Sequence, residues 1–186
     1  VLRAARDEYD AAMKKQSIVA LLIVFAFGIA IGAAMARGFD TTLYRGKQPK
    51  EAGRALLELG RKQAGKGSWE RIGVGRVYYL AGMKAEGQAI FDEVTSRKPE
   101  STDWWRIGRV YWEAGEWDKA RETFDKSLAK NPKDDKGLAE LGAYYMLKGD
   151  RAKAEELYDR SYAIESGEVW NTAMMAGGYL GVKPQE

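Results

Sequence analysis

The sequence predicts an all-α chain: a helical solenoid of about three helix pairs with flanking helices, preceded by a separate apolar helix. Three observations carry this expectation. The arrangement of small and aromatic residues over residues 101–134 returns 34 residues later. The stretch 18–36 (IVALLIVFAFGIAIGAAMA) contains no charged residue. Only four prolines interrupt 186 residues, 31% of which are charged, a mixture that suits helices better than a β-sandwich.

The composition also removes whole classes of chemistry. The chain has no histidine and no cysteine. A Ser-His-Asp or Cys-His arrangement cannot be built, and zinc, haem and iron–sulfur sites lose their usual ligands. No disulfide can hold the fold, so stability must come from packing. Lys and Arg number 30 against 27 Asp and Glu, a net +3 that is too small for a basic face built for nucleic acid. The adjacent carboxylates Asp134-Asp135 and Glu155-Glu156 point apart, so a shared proton is not expected. Gly73-Val74-Gly75 follows no strand and implies no phosphate cradle. Residues 133–136 are rich in Asp but lack the spacing of a calcium loop. Neither a catalytic constellation nor a cofactor is expected.

Taken in order, residues 1–16 form an N-terminal tail or the n-region of a signal, and residues 17–36 a transmembrane anchor or signal peptide. Nineteen apolar residues rise roughly 28 Å as a helix, about the hydrocarbon thickness of a bilayer. Lys14 and Lys15 precede the stretch and Arg37 follows it. Ala34 and Ala36 place small residues where a signal peptidase cuts, before Arg37. Gly28, Gly32 and Ala36 would instead form a small-residue stripe for packing between transmembrane helices. The first option leaves a soluble periplasmic protein; the second holds the rest of the chain at the inner membrane, outside the cytoplasm. Residues 37–67 read as a linker and one partial-repeat helix over 50–64, with Ala52, Leu56 and Leu59 on one face.

Residues 68–186 hold the repeats. In the second, Trp104-x-x-Ile107-Gly108-x-x-Tyr111 is followed by Gly115, Ala120-x-x-x-Phe124, Ser127, Leu128 and Pro132. In the third, Leu138, Leu141, Gly142, Tyr145, Gly149, Ala154, Tyr158 and Ser161 fall in register, with Ser166 in place of the proline. The first repeat, 68–100, aligns Val74, Gly75, Tyr78, Gly82, Phe91 and Pro99, but carries Arg71 for the tryptophan and Gly87 for the alanine. Counting each repeat from its first residue, positions 4, 7, 8 and 11 make one apolar stripe at helical spacing. The small residue at position 8 lets the paired helix approach, and the glycine at position 15 ends the first helix. Over 169–181, Thr172, Met175, Ala176 and Tyr179 repeat the first-helix stripe, and no second helix follows.

This pattern resembles the tetratricopeptide repeat (TPR) family, and membrane-anchored or exported bacterial members in particular. The resemblance implies stacked helix pairs, a role in protein binding as an assembly or accessory factor, and a groove faced by positions 2, 5, 9 and 12. Those are Trp69, Ile72, Arg76 and Tyr79, then Thr102, Trp105, Arg109 and Trp112, then Lys136, Ala139, Ala143 and Met146. Arginines and aromatics are the residue types that dominate binding hot spots. Such a groove suits a peptide with an apolar anchor and an acidic group or terminal carboxylate. The asparagines of the family's chaperone-binding clamp are missing, so that activity is not carried over. A rival site is the uncharged end 171–182, where Trp170, Met174 and Leu180 fall off the inward stripe. A bare apolar end suggests a protein partner, a second copy of the chain or a membrane. The alternative to a transient scaffold is a permanent structural subunit of a larger membrane complex.

Overall fold

The computed structural model describes residues 40–184, which divide between two compact units. The apolar segment 17–36, with Gly28, Gly32, Ala36 and the Ala36–Arg37 junction, lies outside the described residues. Among the described residues no helix is long and apolar enough to cross a membrane. Of the first unit, residues 40–48 are described. They hold a short 3-10 helix, Thr41–Leu43, capped by the Asp40 carboxylate, which accepts from the backbone N–H of Thr42 at 3.0 Å.

The second unit begins at Pro49 and, as described, is all helical. Its eight helices are α1 (Pro49–Ala64), α2 (Ser68–Leu80), α3 (Lys84–Thr95), α4 (Ser101–Glu113), α5 (Trp117–Lys130), α6 (Asp135–Leu147), α7 (Arg151–Ile164) and α8 (Val169–Tyr179). α2 pairs with α3, α4 with α5 and α6 with α7, while α8 packs on α6. The partial-repeat helix expected over 50–64 is α1. Leu56, placed on its apolar face by periodicity, is exposed, and the helix touches α2 instead through Gly60, beside Val74, and through Glu58, which accepts from the Tyr78 hydroxyl at 2.8 Å.

Each pair turns in three residues, and the turn is a local hydrogen-bond problem. A helix that stops leaves its last carbonyls without partners. Here the middle residue is Gly82, Gly115 or Gly149, with φ of 85°, 76° and 85°. That left-handed conformation returns the N–H of the next residue to the carbonyl of Tyr78, Tyr111 or Tyr145, at 3.0, 2.8 and 3.0 Å. α8 ends in the same way at Gly181 (φ 75°), where Val182 donates to the Gly177 carbonyl at 2.8 Å. This stop comes two positions earlier than in the other first helices, which the sequence pattern does not foresee.

Within each pair, position 8 meets position 24. A Cβ placed on Gly75, Gly108 or Gly142 would lie 2.6, 2.7 and 2.5 Å from the rings of Phe91, Phe124 and Tyr158. Those rings are buried and cannot give way. Ser127 and Ser161 then tie the second helix to the start of the first, their hydroxyls donating to the carbonyls of Ser101 and Asp135 at 2.6 and 2.7 Å. At position 20 the first repeat has Gly87 where the others have Ala120 and Ala154. A Cβ there would lie 2.8 Å from both the Gly75 carbonyl and the Tyr79 amide, so α2 and α3 run closer than the other pairs allow. Gly87→Val should therefore force backbone apart and destabilise by about 1–3 kcal/mol, read as a lower urea midpoint; an unchanged midpoint would mean that α2 and α3 can separate freely.

Candidate functional site

The row of first helices, α2, α4, α6 and α8, carries the residues expected to face a groove, and a set of carboxylates reorganises them. Arg76 donates through Nε and Nη2 to the two carboxylate oxygens of Glu113, both at 2.6 Å. Arg109 does the same to Glu140 at 2.7 and 2.6 Å. Such two-pronged pairs fix geometry as well as charge. Glu140 also accepts from Trp105 Nε1 at 3.0 Å and from the Tyr144 hydroxyl at 2.8 Å, with its side chain only 5% exposed. Burying a carboxylate is costly unless it is paired and hydrogen-bonded, and here four donors converge on it. Both arginines thus tie one repeat to the next.

A third tie lies at Glu116. It accepts from the Tyr79 hydroxyl at 2.7 Å, from Lys119 at 2.7 Å and from Lys84. Partial burial would raise its carboxyl, but the bonds from Lys119, Lys84 and Tyr79 outweigh that and hold it at about 2. The Tyr79 hydroxyl moves the other way, raised by burial and by Glu116.

The expected groove residues separate accordingly. Tyr79 and Trp105 are buried and line no open surface, contrary to the sequence expectation. Tyr79 packs its ring on Tyr111 and Phe91, and Trp105 on Phe124. Trp112 is half-buried between Tyr144 and Trp117, with ring centroids 4.6 and 5.5 Å away, and Met146 packs on the core. Positions 5 and 12 therefore fill the seam between repeats, because each needs the next first helix to cover it. Trp69 is exposed beneath the Arg106 guanidinium, which lies 3.8 Å from its ring centroid. Lys136 is exposed and only 3.9 Å from Glu168 at its closest.

At the C-terminal end the two sites expected as rivals become one. A cleft of about 440 Å³ is lined by Arg109, Lys136 and Glu140 together with Trp170, Met174 and Val182. The tail takes part in it, since Lys183 and Pro184 also line the cleft. The tail does not cover the whole end: Trp170 is 66% exposed and Leu180 79%. Among the described residues no group of three or more Asp or Glu is placed to hold a metal ion. The carboxylates Glu113, Glu116 and Glu140 are absent from the residues singled out by sequence. Their only signal is an acidic residue about one repeat beyond each arginine or tyrosine.

Two outcomes follow. Glu140→Ala removes the buried carboxylate that Arg109, Trp105 and Tyr144 share and should destabilise by about 3–5 kcal/mol, measured by urea unfolding; a loss below 1 kcal/mol would mean that solvent reaches these donors. Glu116 stands below its ordinary value of 4.5 in the folded chain. Its contribution is present in full above that value and is lost as the pH falls through about 2. The stability gap between the natural chain and Glu116→Gln should therefore narrow between pH 4.5 and 2, and a constant gap would contradict the assignment.

Against known proteins, residues 102–134 match the tetratricopeptide repeat family. No curated protein matches the chain in sequence. Among solved structures, the crystal structure of MamA is similar in fold, with a TM-score of 0.50 at 19% identity over 71% of this chain and 77% of that one. The matched repeat coincides with α4 and α5, and the pairs on either side reproduce its glycine-on-aromatic contact. Residues 102–134 are thus one repeat of the tetratricopeptide type, and the helix pairs around it are similar in fold to those of MamA.

Proposed function

We propose that the chain is a non-catalytic protein-binding scaffold, an assembly or accessory factor at a membrane, and that the cleft between α6 and α8 is where a partner's segment docks. The observation that carries this is Trp170, a large aromatic left exposed at the rim of a cleft whose floor is polar. Exposed aromatics beside such clefts are characteristic binding anchors. The chemistry of the partner follows from what the floor has already used. Glu140 holds Arg109, so the positive charge offered to a ligand comes from Lys136 and Lys183. Trp170, Met174 and Val182 supply apolar surface. A segment with one apolar anchor followed by a carboxylate fits this arrangement.

Residues 17–36 would confine the scaffold to a membrane and raise its effective concentration near a partner in that membrane. In this reading the repeats lie outside the cytoplasm, on the outer face of the inner membrane. A permanent subunit of a membrane complex is the second reading, favoured by the bare apolar end of α8. A bound segment that free peptide displaces distinguishes the first from the second.

The test is selection of displayed peptides on the full chain in mild detergent. Selected peptides should share an apolar anchor near an acidic group, and Trp170→Ala should weaken them about tenfold or more, roughly 1.4 kcal/mol. Because Trp170 is exposed, melting should hardly change. Peptides that bind the variant equally well would move the site off this cleft. Trp112→Ala is not a substitute, since it removes a ring from the seam between repeats.

A further inference from the structure

Among the described residues the solenoid starts and stops half a repeat out of step, at two complementary faces. Counted back from Ser68, α1 occupies the place of a second helix. Gly53 falls at position 20 and Leu57 at position 24, the small–large pair that packs on the first helix in the complete repeats. Among the described residues of this unit no first helix precedes it. Two independent features mark the gap. At position 20 the complete repeats are tightly packed, yet a Cβ on Gly53 would meet nothing within 4 Å. At position 10 Val110 and Tyr144 are buried, Tyr144 against Trp112 of the preceding first helix, yet Val77 is 46% exposed.

The other end is the converse. α8 is a first helix in sequence and in placement, packed on α6 through Asn171 and Gly178, with a Cβ on Gly178 only 3.1 Å from the Cα of Ala143. No second helix follows it among the described residues. Ala176 stands at position 8, where Gly75, Gly108 and Gly142 receive a residue from position 24, and it is exposed. Leu180 stands at position 12, where Tyr79 and Trp112 are covered by the next first helix, and it too is exposed.

We propose that the chain associates with itself head to tail, α8 of one copy filling the missing first-helix place beside α1 and α2 of the next. The small face around Ala176 then receives Leu57 beside Gly53. Leu180 covers Val77 as Trp112 covers Tyr144 within the chain. The face that α8 brings is uncharged, since residues 171–182 carry no charge at all. The contact is heterologous, so each added copy leaves the same two ends open and the solenoid continues from copy to copy. This inference does not rest on the peptide cleft, which uses residues on another side of α8.

The test compares the full chain in mild detergent with Gly53→Arg and Ala176→Arg by sedimentation velocity over a range of concentrations. Both positions are open, so circular dichroism and melting should match the natural chain. The natural chain should grow in mass with concentration, and each variant alone should stay monomeric. An equimolar mixture of the two variants should stop at a dimer, because only one intact interface exists per pair. A natural chain that stays monomeric overturns the proposal, whether residues 1–48 of the same chain or nothing fills the gap. Growth that survives both substitutions also overturns it, pointing to the apolar segment 17–36. Growth abolished by Ala176→Arg but not by Gly53→Arg would indicate α8 pairing with α8, and would equally overturn it. Loss of peptide capture in Trp170→Ala would leave each of these results unchanged.

Discussion

The solenoid depends on one contact: a helix that lacks a side chain at one position, against a buried ring from its partner. Gly75, Gly108 and Gly142 make room for Phe91, Phe124 and Tyr158, and a Cβ on any of the three would run into the ring it faces. The turn and the ring act together. The glycine at position 15 fixes where the second helix starts, and the ring at position 24 fixes how deep it sits. A single pair built this way still leaves its outer faces open, so the contact also obliges the pairs to stack.

Stacking brings a second, polar layer of organisation. Arg76 with Glu113, Tyr79 with Glu116 and Arg109 with Glu140 join each repeat to the following one, over separations of 37, 37 and 31 residues. These groups would present charge to a ligand if the helices stood alone. In the array their charge is taken up by neighbouring repeats, while Lys136 and Trp170 stay exposed.

Sequence reading found the helix pairs, the turns and the glycine-on-aromatic stripe because each rests on contacts within some thirty residues, and a fixed period makes these visible. It placed Tyr79 and Trp105 on an open groove because the face of a helix follows from periodicity but its covering does not. What covers position 12 belongs to the next repeat, and only the structure shows Tyr111 and Tyr144 standing there. The early stop of α8 escaped for a similar reason. Gly177-Gly178 and Gly181 all look like breakers, and only the bond from Val182 to the Gly177 carbonyl identifies which one ends the helix. The single cleft formed from the groove and the terminal helix was legible as two candidates, since the joining residues lie on α4, α6, α8 and the tail.

Side-chain size between successive first helices also varies along the array. Trp105, Trp112 and Tyr144 stand between α4 and α6, whereas Gly178 and Ala143 bring α6 and α8 almost backbone to backbone. The spacing between first helices is therefore set step by step by the side chains that stand in it. The C-terminal cleft follows the step where those side chains are smallest, so helix spacing defines it as much as the residues that line it.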